Sequence, residues 1–205
     1  MIPHGNFASY YKAAPDQDVC RKMLNINHDE PLLLFFGNIR PYKGLHTLLS
    51  AFELLDSSRP LRLLIAGKVQ GDLTNELESA VAAIPSSRIR LELGHIPDDQ
   101  VPIIFGACDA VVLPYANVLT SGVGLLAASF NKPVIAPSIG CFQDYPSSIR
   151  IPFDVNSPEN LASVLSQLST QTLKMKSEDV GEWIKEFDWI PVGQKTVNLY
   201  KDIAE

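Results

Sequence analysis

Leu32-Leu33-Leu34-Phe35-Phe36 runs without a polar residue into Gly37. Gly37-Asn38-Ile39-Arg40-Pro41-Tyr42-Lys43-Gly44 then leads into Leu45, Leu48, Leu49, Phe52 and Leu55. A short apolar run ended by glycine has the length of a strand buried on both faces. Apolar residues three and four apart form one face of a helix. This strand, loop and helix make half of a βαβ unit, and the pattern repeats. Leu61–Ala66, Ile89–Leu93, Ala110–Leu113 and Pro133–Ala136 are further runs of strand type, with Ile149–Phe153 a weaker sixth. Between them, Asp72–Ile84, Pro97–Ala107, Val123–Phe130 and the set Leu161, Val164, Leu165, Leu168 carry helical character. A repeat of roughly 20–28 residues predicts right-handed crossovers on a parallel sheet, an α/β doubly wound domain. An all-α bundle is excluded by the short runs and the glycines that end them.

The domain is expected over residues 31–205, after a linker-like lead-in segment at residues 1–30. In that segment a loop precedes a short helix around Val19–Leu24, which Asn25-Ile26-Asn27-His28 breaks. The chain has 205 residues, 46% of them hydrophobic and 20% charged, enough for a sizeable core and too apolar for disorder. Every apolar run stops short of the roughly 18–20 residues of a membrane span. Met1-Ile2-Pro3-His4-Gly5 does not read as a basic-then-apolar leader. Seventeen basic against 23 acidic residues give a net charge of −6, which argues against nucleic acid as a partner. Cys20, Cys108 and Cys141 have neither C-x-x-C nor zinc spacing, so no metal is expected and a reducing, cytoplasmic setting is.

Ligands of an open parallel sheet bind beyond the carboxyl ends of its strands. The loops there are Gly37–Gly44, Gly67-Lys68-Val69-Gln70-Gly71-Asp72, Gly94-His95-Ile96-Pro97-Asp98, Pro114–Gly122 and Pro137-Ser138-Ile139-Gly140. Glycine lets backbone N–H groups approach a ligand, and helix N-termini carry partial positive charge. Arg40 and Lys43 on one loop, with Lys68 on the next, would gather cations on that edge of an acidic protein. That outlines a phosphate site. Thr120-Ser121-Gly122 precedes Val123–Phe130, where the hydroxyls could cap the helix or hold an oxyanion. Neither a Walker loop nor G-x-G-x-x-G is present.

The block Phe35–Gly44, followed by a helix ending Ala51-Phe52-Glu53-Leu54-Leu55, resembles the opening of the C-terminal half of GT-B glycosyltransferases of the family 4 type. Leu64-Ile65-Ala66-Gly67-Lys68, Leu93-Gly94-His95-Ile96-Pro97-Asp98, Ala107–Pro114, Asn131–Ala136 and the tail from Phe187-Asp188-Trp189 are similar to later blocks of that family, in order. The resemblance implies a Rossmann-like nucleotide-sugar-binding domain over residues 31–205. It further implies that Gly37 presents its N–H to a donor diphosphate, and that Arg40 and Lys43 are the catalytic cations that neutralise the diphosphate without a metal. Lys68 would join them, His95 and Ile96 would meet the nucleobase, and Thr120, Ser121 and Gly122 would hold phosphate oxygens.

Two departures stand out. The paired glutamates of the family fall at Val118 and Leu126 here, so a ribose contact must come from elsewhere. This Thr-Ser-Gly variant resembles bacterial transferases that build polysaccharide or glycolipid. Second, Ile2-Pro3-His4-Gly5-Asn6-Phe7 resembles the linker between GT-B halves, which implies a separate N-terminal acceptor-binding domain or subunit. His4 reads as a linker residue and His28 as a turn residue. His95 reads as a strand-end residue before a base, and Asp144 lies where it could touch the sugar. Trp183, Ile184, Phe187, Trp189 and Ile190 read as a helix packed on the domain, with a candidate apolar interface.

The leading expectation is a donor half that transfers a hexosyl group from a UDP- or GDP-sugar to a saccharide or lipid-linked acceptor. No resident cofactor is expected, and peripheral membrane contact stays open. The alternatives are a stand-alone nucleotide-sugar-binding or regulatory module without transfer activity, and a remnant of a sugar-nucleotide epimerase.

Overall fold

The computed structural model describes residues 3–26, 29–70 and 73–204. Its centre is a six-stranded sheet in the order β3-β2-β1-β4-β5-β6, every pairing parallel. The strands are β1 Leu32–Phe36, β2 Arg62–Gly67, β3 Ile89–Leu93, β4 Ala110–Val112, β5 Val134–Ile135 and β6 Arg150–Ile151. The helices are α1 Gln17–Met23, α2 Leu45–Leu54, α3 Leu73–Ala82, α4 Val101–Ala107, α5 Gly122–Ser129, α6 Pro158–Ser166, α7 Thr170–Trp183 and α8 Trp189–Ala204. Among the described residues no helix is long and apolar enough to cross a membrane.

The period of two along β1 explains its lack of polar residues. Leu33 and Phe35 pack in one layer with Leu48, Leu49 and Phe52 of α2 and Leu161 and Leu165 of α6. Leu32 and Leu34 point the other way, into a layer with Cys20 of α1, Phe105 of α4 and Leu126 of α5. Both faces of the sheet are therefore covered by helices, and each β1 side chain removed from water contributes on the order of 1.5–3 kcal/mol. The lead-in segment is built into this packing. Cys20 is fully buried, and the Arg21 guanidinium lies 2.9 Å from Asp109. Asp109 in turn accepts from the Leu32 amide at 2.7 Å, pinning the first residue of β1.

Several elements differ from the sequence expectation. The helix expected from Pro97 begins at Val101, because Pro97–Gln100 close a turn through a Gln100 N–H to Pro97 carbonyl bond of 2.9 Å. The helix α7 is not visible in the sequence pattern: only Leu173 and Val180 are buried along its 14 residues, too sparse for a 3.6-residue signal. The aromatic cluster does not form one helix. Trp183 ends α7, Phe187 ends a 3-10 turn over Ile184–Phe187, and Asp188 is extended before α8 starts at Trp189. Trp189 is 54% exposed and lies against His4 and Gly5 of the lead-in segment, while Ile190, 87% exposed, faces solvent with Tyr200 and Ile203. His28 lies outside the described residues.

The strand order places β1 beside β4 at the centre, and their connections leave in opposite directions. The loops after these two strands part above the sheet, and the crevice between them is where such folds take ligands.

Candidate functional site

The turn after β1 is shaped by close approaches that only glycine permits. Gly44 has a φ of +69°, and a Cβ there would fall 1.8 Å from the Pro114 carbonyl oxygen. The Tyr42 carbonyl accepts from the Ala116 amide at 2.9 Å, so the β1 loop is clasped to the β4 loop across the crevice. On the other side, Ile39 N–H donates to the Lys68 carbonyl at 2.8 Å and Gln70 N–H to the Ile39 carbonyl at 3.2 Å, which ties in the β2 loop.

This clasp folds Lys43 inward. It is 7% exposed, its Nζ sits 5.6 Å from the centre of the Tyr115 ring, and among the described residues no carboxylate forms an ion pair with it. Burial, with the positive charge of Arg40 adding to it, lowers its pKa from 10.5 to about 8. A largely buried ammonium over an aromatic ring, with no carboxylate paired to it among the described residues, is chemically suited to meet an anion.

Gly37 has a φ of +99°, and a Cβ on it would lie 3.2 Å from Lys43 Nζ and 3.5 Å from Val123 Cγ2. The ammonium and the first turn of α5 thus meet over this glycine. Its own amide is committed to the Ala66 carbonyl at 2.9 Å. This corrects the expectation that Gly37 offers its N–H to a ligand: what it contributes is space.

At α5, Ser121 is the N-cap, and its Oγ accepts from the Gly124 amide at 3.1 Å. Capping and anion binding are compatible here, because the amides of Gly122 and Val123 have no partner within the helix. A Cβ at Gly122 would meet nothing within 4 Å, so this end is open. Thr120 beside it is exposed. Burial raises the pKa of the Tyr115 phenol and the nearby Ser121 lowers it in part, so the ring under Lys43 lies beside the cap.

The structure therefore brings Gly37, Lys43, Ser121 and Gly122 together. Arg40 is exposed at the head of the same turn, near enough to act on Lys43, and it also lines a separate hollow of about 200 Å³ with Leu45 and Leu77. Lys68 is exposed at the neighbouring loop. His95 and Ile96 follow β3, the edge strand two positions from β1, about 10 Å away by strand spacing. Tyr115 was given no role by the sequence pattern, although it stood in the β4 loop: its part is visible only once the clasp brings Lys43 over its ring. At the family's glutamate positions, Leu126 is 7% exposed in the core and Val118 is half-buried, its carbonyl packed against Gly140. Among the described residues no group of three or more metal-ligating side chains gathers.

The family described as "Glycosyl transferases group 1" matches residues 16–184. A GDP-mannose:glycolipid 4-beta-D-mannosyltransferase of Xanthomonas campestris pv. campestris is 34% identical over 105 residues, which cover 51% of this chain and 30% of that protein. By structure, a sucrose-phosphate synthase from Thermosynechococcus elongatus aligns with a TM-score of 0.83 at 21% identity, over 98% of this chain and 52% of the other. Anabaena HepE in complex with UDP-glucose aligns at 0.79 and 17% identity, over 95% of this chain and 55% of the other. The chain spans about half or less of the length of the curated relatives it matches.

Proposed function

The chain belongs to the glycosyl transferases group 1 family, and from that premise we propose that it is the donor-nucleotide half of a glycosyltransferase. It takes a UDP- or GDP-sugar and passes the hexosyl group to a saccharide or lipid-linked acceptor in polysaccharide or glycolipid synthesis. Its acceptor side is supplied by a separate N-terminal half. In the transfer, an acceptor hydroxyl oxygen bonds to the anomeric carbon and its proton passes to the departing phosphate oxygen or to solvent, while the bond from that carbon to the phosphate oxygen breaks and its electron pair leaves with the diphosphate.

The observation that carries this reading is Lys43: a largely buried ammonium over the Tyr115 ring, beside Gly37 and the first turn of α5, with no carboxylate partner among the described residues. Preorganised positive charge of this kind stabilises a departing diphosphate more than the intact donor, because charge grows on the bridging oxygen as the bond breaks. Lys43 and Arg40 are the catalytic cations in this scheme, with Lys68 at the rim. The amides of Gly122 and Val123 and the Thr120 hydroxyl hold phosphate oxygens, Ser121 shapes the helix start, and His95 and Ile96 border the base. No resident metal or cofactor is required. The three cysteines, with neither C-x-x-C nor zinc spacing, suit a reducing, cytoplasmic compartment.

Calorimetric titration of the chain with UDP, GDP and ADP tests the proposal. At least one should bind, and Lys43→Ala should weaken the nucleoside diphosphate far more than the nucleoside, by roughly tenfold or more for a lost charge-assisted contact. No heat from any of the three at millimolar concentration overturns it. A second reading, a nucleotide-sugar-binding module without transfer activity, is favoured by apolar Val118 and Leu126 at the glutamate positions. Donor hydrolysis or transfer on adding an acceptor-side half would exclude it.

A further inference from the structure

Lys43 sits on a surface turn and yet does not reach for water. Arg40 and Tyr42 on the same turn are exposed, whereas the Lys43 side chain, with its flexible stem and strongly hydrated head, stays inside. Among the described residues no carboxylate pairs with it, and the charge of Arg40 works against it. The attractive group beside it is the Tyr115 ring, 5.6 Å from Nζ. That ring is itself wedged in place. It is 3% exposed, the Tyr42 ring meets it edge-on at 6.0 Å, and the fully buried Phe142 ring lies 5.7 Å away in the core.

We propose that Tyr115 is the positioning residue of this site: its ring face holds the Lys43 ammonium inward, beside Gly37 and the first turn of α5, and leaves its charge available to a diphosphate. The proposal rests on the donor reading and adds to it the group that fixes where the cation stands.

A ring face and a carboxylate hold an ammonium in different ways. A carboxylate cancels its charge and accepts from its N–H groups, so an incoming phosphate would have to displace it. A ring face attracts the cation through its quadrupole and leaves both the charge and the N–H donors for a ligand. The attraction offsets only part of the cost of burial, in keeping with a lysine pKa that stays below its ordinary value. The placing of the ring follows from the loop clasp. The Ala116 amide, next in the chain, donates to the Tyr42 carbonyl at 2.9 Å, so the contact that joins the β1 and β4 loops delivers ring and ammonium together. The charged and titratable groups around the pair are Arg40 and Tyr42 on the lysine's own turn, with Cys141 and Tyr145 near Tyr115. None of them is a carboxylate.

Calorimetry of the full chain with UDP and GDP, at pH 7 and pH 9, tests the proposal on Tyr115→Leu and Tyr115→Phe. At pH 7 the leucine variant should bind nucleotide roughly tenfold more weakly, and the phenylalanine variant, which keeps the ring, should restore binding to within about threefold. Proton uptake on binding at pH 9 should be lost in Tyr115→Leu, because a released ammonium returns toward the ordinary lysine pKa, and kept in Tyr115→Phe. Weaker binding in Tyr115→Leu with proton uptake unchanged or larger means that the ring only packs, and overturns the positioning role. A second readout needs no change at Tyr115. In lysine-labelled wild-type chain, the ε-methylene NMR resonance that disappears in Lys43→Met should lie upfield of the other lysines, shifted by the ring current. If it lies among them, the proposal is overturned whether or not Tyr115→Leu folds. Absence of nucleotide heat from the wild type overturns the donor reading instead, and the same resonance still decides whether the ring holds the ammonium.

Discussion

Gly37 and Lys43 compete for one space: a Cβ on the glycine would stand 3.2 Å from the lysine Nζ. The glycine is also held at a φ of +99°, which L side chains rarely adopt. Gly37→Ala should therefore lose about 1–3 kcal/mol of stability through backbone strain and push the ammonium off the α5 N-terminus. Gly122→Ala, with nothing within 4 Å of its Cβ, should change stability by no more than about 0.5 kcal/mol. Urea denaturation of the two variants, read as midpoint shifts, checks the contrast. Equal shifts would mean that the crowding over Gly37 is not real.

Lys43 makes nucleotide affinity depend on pH in a defined direction. Its pKa is about 8, lowered by burial and then by Arg40, whereas a diphosphate bound beside it requires the charged form. Below pH 8 the ammonium is already present and affinity is flat in this group. Above pH 8 a proton must be taken up on binding, and affinity should fall by roughly tenfold between pH 7 and 9. Calorimetry at pH 9 in buffers of different ionisation enthalpy should show proton uptake, and Lys43→Met should abolish it.

The same residue links stability to pH with the opposite benefit. The unfolded chain holds the lysine proton up to about 10.5, the folded chain only to about 8. Between these values the unfolded state binds more protons, so this group adds stability as pH rises through the window and subtracts it below. Lys43→Met removes a desolvated charge that has no carboxylate partner among the described residues, and should raise the melting temperature at neutral pH while weakening nucleotide binding. A lower melting temperature would show that Lys43 has a stabilising partner in the free protein.

The sheet was largely legible in the sequence because both of its faces are buried. β1 and β3 begin and end where the apolar runs do, and the glycines that end the strands mark the loops. β5 and β6 shrink to two residues each, since neither Pro133 directly before β5 nor Pro152 directly after β6 has an N–H to give to the ladder. The cationic loop was legible too, but the use of its parts was not. That the Gly37 amide is occupied by the Ala66 carbonyl depends on a neighbouring strand, and that Lys43 rather than Arg40 is buried depends on the Gly44–Pro114 contact. Leu126 shows the limit from the other side: alignment put it at a ligand-binding position, and packing put it in the core. Local sequence carries periodicity and turn chemistry; it does not carry which cation the opposite loop will cover.

Asn6 joins the lead-in segment to the approach to α8. Its Nδ2 donates to the Ile184 carbonyl at 3.2 Å and to Asp188 Oδ1 at 2.5 Å. Its Oδ1 accepts from the Ala8 amide at 3.1 Å, and its carbonyl accepts from Trp189 Nε1 at 3.0 Å. The residue is 3% exposed, so its amide cannot trade these partners for water. Asn6→Ala leaves the Ile184 carbonyl and the Ala8 amide without the bonds they have, at a cost of about 1–3 kcal/mol. Asn6→Asp keeps the size but sets a second carboxylate against Asp188, and should cost more at neutral pH than at pH 4. Native-state hydrogen exchange should show faster exchange at Phe187–Val192 in both variants, with β1 and β2 unchanged. Exchange that rises equally across the sheet would mean that Asn6 supports the whole domain rather than the junction between its lead-in segment and α8.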